Sequence, residues 1–219
     1  GMAVLVGDLG FAMAHRLAAS LPMTALKIWH ELGNELVMGQ FLDVAGAARG
    51  GAGVSRALTI ARYKSGSYTV ERPLQLGATV AGVPADAAAR LFPFAQPLGE
   101  AFQLRDDVLG VFGHEASTGK PSGDDLRQGK PTLLLALGRE RAHGRSAAVL
   151  ERVGQPGLSD ADLAAVRQVL VDCGARAEVE RVIKARFRAA LQDLETAPLA
   201  AGVCSALREL AVRTLWRAA

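Results

Sequence analysis

Apolar residues recur at helical spacing along most of the chain, in windows separated by glycine or proline, and no segment sustains the alternation of a strand. The first window covers residues 3–21 and stops near Pro22; the second runs over 23–46 and is stopped by "AARGGAG" at 47–53. A third spans 55–82 and ends at Gly82 before Pro84, the order expected at a helix stop. A fourth, 85–112, is predicted to bend near Pro93 or Pro97. The polar, glycine-rich "GHEASTGKPSGDDLRQGKP" at 113–131 reads as a loop. Helices resume at about 132–144, 146–153, 159–172, 175–196 and 203–217, with Ser159 and Asp162 as a weak capping signal. There is no internal repeat and no evident linker. The pattern predicts a single all-α domain over 1–219, with helices 23–46, 55–82 and 85–112 lining a central cavity.

Composition narrows the picture. The 219 residues are half hydrophobic but only 5% aromatic, and Ala, Leu, Val and Arg favour helix over sheet. A net charge of +3 is spread along the chain without a basic run, which argues against nucleic-acid binding. Cys173 and Cys204 are far apart and read as buried thiols of a reducing compartment, and the four histidines form no zinc spacing. No stretch reaches the roughly 18–20 apolar residues of a membrane span, and no secretory signal is visible. A cytoplasmic protein is expected.

Several charged residues fall on apolar helix faces. In "FQLRDDVLGVFG" at 102–113, Gln103, Asp106 and Asp107 share one face, and Gly110 lies four residues beyond Asp106. Carboxylates so placed can hold magnesium, which prefers oxygen and bridges phosphates; the same spacing also suits two solvated surface acids. Lys120 and Lys130 each follow a glycine, with Asp124, Asp125 and Arg127 between them. Such Gly-Lys pairs let backbone and ammonium approach an anion, although an ordinary surface loop has the same composition. "RYKSGSYT" at 62–69 interrupts an apolar helix with Lys64, Ser65 and Tyr68, and its Ser-Gly-Ser core predicts a local kink that frees backbone carbonyls. Gln40 and Asp43 stand at i and i+3 on a largely apolar helix, which fits either a polar site or a bond between helices. Asp8, between Gly7 and Leu9, reads as a buried structural acid.

Together these stretches resemble the trans-isoprenyl diphosphate synthases, the polyprenyl synthetase family. The resemblance runs from "LVGDL" to "GKPTLLL". Its strongest piece is "FQLRDDVLGVFG" followed by "TGKPSGDDLRQGKPTLLLAL", which looks like the second aspartate-rich motif and the lysine loop of the family. "GQFLDV" and "YKSGSYT" look like two further signatures in the expected order. The resemblance implies an isoprenoid-synthase-type helical bundle and a homodimer. It implies a reaction in which an allylic diphosphate ionises with magnesium and condenses with isopentenyl diphosphate, giving a longer linear diphosphate such as geranylgeranyl or farnesyl diphosphate. On this analogy Asp106 binds magnesium and Asp107 supports it through water. Lys64, Lys120 and Lys130 contact the diphosphate. Ser65 and Gln103 stabilise the cation, and Gln40, Asp43 and Tyr68 line the site.

Two departures accompany the resemblance. Gly110 stands where the second motif often has a third aspartate, so one carboxylate fewer is expected around the metal. The first aspartate-rich motif and its paired arginines are missing, together with roughly the first third of a family member, so an N-terminally incomplete chain with little activity of its own is expected. Two alternatives remain: a terpene cyclase or lyase of the same fold, against which the lysine loop argues, and a non-catalytic partner subunit of a synthase.

Overall fold

Glycines and prolines divide the chain where the pattern places them. A computed structural model describes residues 1–48, 53–113 and 123–216, apart from the side chains of 46–48, 64 and 65. Among these residues the chain forms α-helices and one π-helix, with no strand. Helix α1 (Met2–Ala18) turns through Ser20–Pro22 into α2 (Met23–Ala48). His15 of α1 packs 4.2 Å from Phe11 on its own helix and meets Trp29 and His30 of α2 at ring-centroid distances of 5.7 and 6.0 Å. Asp8 is exposed in mid-helix, so it is not the buried structural acid expected: the apolar residues around it face outward too.

The third window is one continuous helical rod with a change of register inside it. It comprises α3 (Val54–Ala61), a π-helical segment (Arg62–Glu71) and α4 (Arg72–Val80). The expected kink at "KSGS" is therefore a widened helix. The rod closes where Gly82, at φ +74°, allows Val83 N–H to bond back to Ala78 O at 2.9 Å. The fourth window splits into α5 (Ala85–Ala89) and α6 (Phe92–Phe112). The break falls at Arg90–Leu91, ahead of Pro93, which sits in the first turn of α6 where its missing N–H costs nothing. Helix α6 continues through Pro97.

The segment expected to be a loop contains a short helix, α7 (Asp124–Arg127). Helices α8 (Leu133–Arg141), α9 (Arg145–Glu151), α10 (Asp160–Asp172), α11 (Ala175–Thr196) and α12 (Ala201–Leu215) follow. The Ser159–Asp162 signal is a full capping box. Along α11, Val179, Ile183, Ala190 and Leu194 form one apolar stripe and are fully buried. Each of the larger three is worth about 1.5–3 kcal/mol relative to exposure.

Helix α6 is the central element. It is buried on several faces, between α11 on one side and the π segment on the other. Leu104, Val108 and Val111 join the core formed with α8, α10 and α11, and Phe94 and Leu98 join a second cluster with Ala190, Leu194 and Ala211. A helix enclosed in this way can carry polar side chains only where partners satisfy them, which makes those positions informative.

Candidate active site

Five polar residues of α6 and its neighbours are gathered into one small cavity. Its wall comprises Asp43 of α2, Ala57, Ile60 and Ala61 of α3, Gln103 and Asp107 of α6, and Lys130, Pro131 and Thr132 ahead of α8. Asp43, Gln103 and Asp107 are each at most 9% exposed. Gln103 Nε2 donates to Asp107 Oδ1 at 2.6 Å across one helical turn, which orients the carboxylate. Thr132 caps α8 by accepting from Leu135 N–H at 3.3 Å.

The loop that brings Lys130 in is held by close backbone contacts. Gly129, at φ +63°, lies against Gly154, and a Cβ on it would stand 2.9 Å from the Gly154 Cα. Gly154 N–H bonds to Leu126 O at 3.0 Å, and Leu126 is fully buried. Lys130 N–H bonds to Asp125 O at 3.1 Å, while its ammonium forms an ion pair with the Asp125 carboxylate. Burial disfavours the charge on Lys130, but the hydrogen bond it donates to Asp125 and the charges of Asp125, Asp43 and Asp107 outweigh it. The lysine pKa is held above its ordinary value.

Asp125 was not among the candidates from sequence. Its carboxylate occupies the space in which a side chain at position 110 would begin, and a Cβ on Gly110 would lie 2.8 Å from its Cγ. The place above Gly110 is thus filled by a carboxylate from α7. The signal available was the absence of a side chain at Gly110 itself.

The remaining candidates are distributed around this centre. Asp106 is half-buried, next to Asp107 but outside the cavity wall. Gln40 is exposed on α2, and Tyr68 is half-buried in the π segment; neither belongs to the wall. Lys64 and Ser65 occupy the π segment by backbone. Lys120 lies outside the described residues. A larger apolar groove of about 420 Å³, walled by Val70, Leu74, Phe94, Leu98, Phe102 and Leu210, contains none of the candidate acids or lysines.

The donor chemistry suits magnesium. Hard carboxylate oxygens from Asp43, Asp107 and Asp125 surround one ammonium, and magnesium is commonly held by one or two carboxylates completed by phosphate and water. Among the described residues no three carboxylate, histidine or cysteine side chains converge as a self-sufficient metal cage. No helix among the described residues is long and apolar enough to cross a membrane.

Residues 1–170 match a family model described as polyprenyl synthetase. The chain is 33% identical over 183 residues to a (2E,6E)-farnesyl diphosphate synthase of Mycobacterium tuberculosis, covering 79% of this chain and 50% of that protein. It is 31% identical over 194 residues to a geranylfarnesyl diphosphate synthase of Aeropyrum pernix, covering 84% of this chain and 59% of the relative. The chain thus spans about half the length of the curated relatives it matches. Its fold superposes with a TM-score of 0.91 and 36% identity on geranylgeranyl pyrophosphate synthase from Corynebacterium glutamicum, solved with isoprenyl diphosphate and magnesium. That match covers 98% of this chain and 63% of the solved one.

Proposed function

This chain belongs to the polyprenyl synthetase family, and from that premise we propose that it is part of a prenyltransferase. The enzyme joins an allylic diphosphate to isopentenyl diphosphate and releases a longer linear isoprenyl diphosphate of farnesyl or geranylgeranyl length. In the reaction the allylic C–O bond breaks and inorganic diphosphate departs. The isopentenyl double bond forms the new C–C bond, and a proton is lost. One observation carries the reading: two buried carboxylates, an orienting amide and a lysine meet in one cavity between α2, α3, α6 and the loop before α8.

When bound, magnesium neutralises charge on the departing diphosphate. Asp106 and Asp107 are assigned to hold it, with Gln103 fixing the Asp107 carboxylate and offering its amide oxygen to the developing cation. Lys130, kept charged by its acid neighbours, is assigned to the diphosphate together with Lys64 and Lys120. Ser65 is assigned beside the cation. Asp43 lines the site, and Gln40 and Tyr68 are assigned to substrate contact farther out. The apolar surroundings of α3 limit water at the reacting carbon.

A homodimer in the cytoplasm completes the proposal. Leu5, Leu9 and Phe11 of α1 and Val37, Phe41 and Val44 of α2 are more than half exposed, an apolar face of the kind that subunits bury.

The test is product analysis with the intact protein, magnesium, labelled isopentenyl diphosphate and an allylic diphosphate. A longer linear diphosphate is expected, and Asp106→Ala abolishes most magnesium-dependent turnover. A cyclic hydrocarbon would move the assignment to a lyase of the same fold, and near-normal activity of Asp106→Ala would overturn the assigned roles.

A further inference from the structure

We propose that Glu35 is a positioning residue: by holding Ser67 and Arg72 it fixes the register of the π segment that carries Lys64 and Ser65. The inference rests on the functional reading above, in which that segment faces the substrate.

A π-helical run of ten residues is unusual; such turns are normally short, and they concentrate at functional sites. Something outside the segment must hold it. On one side it touches α6 backbone to backbone. A Cβ on Gly99 would overlap the Gly66 carbonyl and lie 2.8 Å from the Gly66 Cα, and a Cβ on Gly66 would lie 3.3 Å from the Gly99 carbonyl carbon. Gly99, Gln103 and Asp107 are spaced i, i+4 and i+8 and form one stripe of α6. The segment is therefore seated on the same helix face that bears the candidate site.

On the other side the segment meets α2 through Glu35. The Ser67 hydroxyl, 5% exposed as a residue, donates to the Glu35 carboxylate. Arg72, at the junction with α4, forks onto the same carboxylate, with Nε at 3.0 Å from Oε2 and Nη2 at 2.5 Å from Oε1. Its Nη1 also reaches Glu31 at 2.9 Å and Gln75 at 2.9 Å. Glu35, Gly39 and Asp43 repeat the i, i+4, i+8 spacing on α2. The segment thus lies between two stripes of like spacing, each ending in a buried acid, and Glu35 is the charged tie to one of them. The Arg72 hydrogen bond outweighs burial and holds the Glu35 carboxyl below its ordinary range, so the tie is ionised at neutral pH.

A slip of one register position would turn the backbone at Lys64 and Ser65 about the segment's axis relative to Asp107 and Asp43. Local geometry of this kind affects turnover more than ground-state affinity.

The experiment uses the intact protein and the variants Glu35→Gln, Glu35→Asp and Ser67→Ala, read by hydrogen-exchange mass spectrometry and by steady-state kinetics. Glu35→Gln is expected to accelerate exchange across 62–71 at least tenfold and to lower kcat at least tenfold, with KM for both diphosphates changed less than threefold. Glu35→Asp, which keeps the charge, recovers part of both, and Ser67→Ala gives a smaller effect in the same direction. Unchanged exchange in Glu35→Gln and Ser67→Ala overturns the proposal, as does loosened exchange with wild-type kcat and KM. Exchange reads the tie whether or not the protein turns over, so an inactive wild type counts against the assigned reaction and leaves exchange to decide the tie.

Discussion

Substituting Gly110 by Ala sets two effects of known sign against each other. Alanine is favoured over glycine in a helix interior by about 1 kcal/mol, and position 110 is inside α6. The added methyl, however, falls on the Asp125 carboxylate. That carboxylate is the far end of a flexible side chain and can swing away, but only by leaving Lys130. The pair is largely shielded, with side-chain exposures of 16% and 28%, so losing its charge-assisted hydrogen bond costs about 1.5–3 kcal/mol. The loss exceeds the propensity gain, and Gly110→Ala should destabilise by about 1 kcal/mol. In an Asp125→Ala background the clash and the ion pair are both gone, so the same change should stabilise by about 1 kcal/mol. Urea unfolding at neutral pH of the four proteins of this cycle measures the coupling directly. A coupling near zero, with Gly110→Ala stabilising in both backgrounds, would falsify the placement of Asp125 above Gly110.

Four further outcomes are expected. Lys130→Met should lower turnover by about 100-fold or more if it removes a preorganised cation from the proposed diphosphate site, as steady-state kinetics will show. Glu180→Gln should cost about 1.5–3 kcal/mol in urea unfolding, since the 8%-exposed Arg105 loses a bidentate partner at 2.6 and 2.8 Å. Burial raises the Glu71 pKa above its ordinary 4.5, so the folded state holds that proton more tightly than the unfolded state. The charged form is penalised at neutral pH, so Glu71→Gln should raise Tm at pH 7 and lose its advantage as pH falls below about 4.5, where both states are protonated. With copies paired through the α1–α2 face as proposed, Phe41→Glu should shift the sedimentation profile of the intact protein from dimer toward monomer.

Much of the fold was legible because periodicity and punctuation agree: Pro22, Gly82, Pro84 and the Ser159–Asp162 box all mark real helix ends. The Gln103–Asp107 contact was legible as well, since i, i+4 neighbours meet within one helix whatever surrounds it. The pairing of Gln40 with Asp43 was less informative. The buried stripe of α2 runs through Gly39 and Asp43, and Gln40, one residue round the helix, is turned to the exposed side. The π register was not legible, because it depends on two glycine backbones meeting across helices and on the reach of Glu35 from α2. The Asp125–Lys130 pair depends likewise on the contact of Gly129 with Gly154 and on the space above Gly110. In each case a pattern within one element was readable, whereas a side chain placed by the contact of two elements was not.

The charge balance of the cavity bears on the order in which a site of this kind fills. Two carboxylates, Asp43 and Asp107, and one ammonium, Lys130, stand in its described wall, and Asp125 adds a third carboxylate engaged with that ammonium. A diphosphate entering alone would meet more negative than positive charge in surroundings that screen poorly, where each charge interacts more strongly than in water. A divalent cation inverts that balance before or together with the anion. Under the proposed function, the acids buried on α6 and α2 would therefore favour a metal-bound diphosphate over a free one. Lys130, held above its ordinary pKa chiefly by Asp125 and further by Asp43 and Asp107, would meet that anion as a charged ammonium.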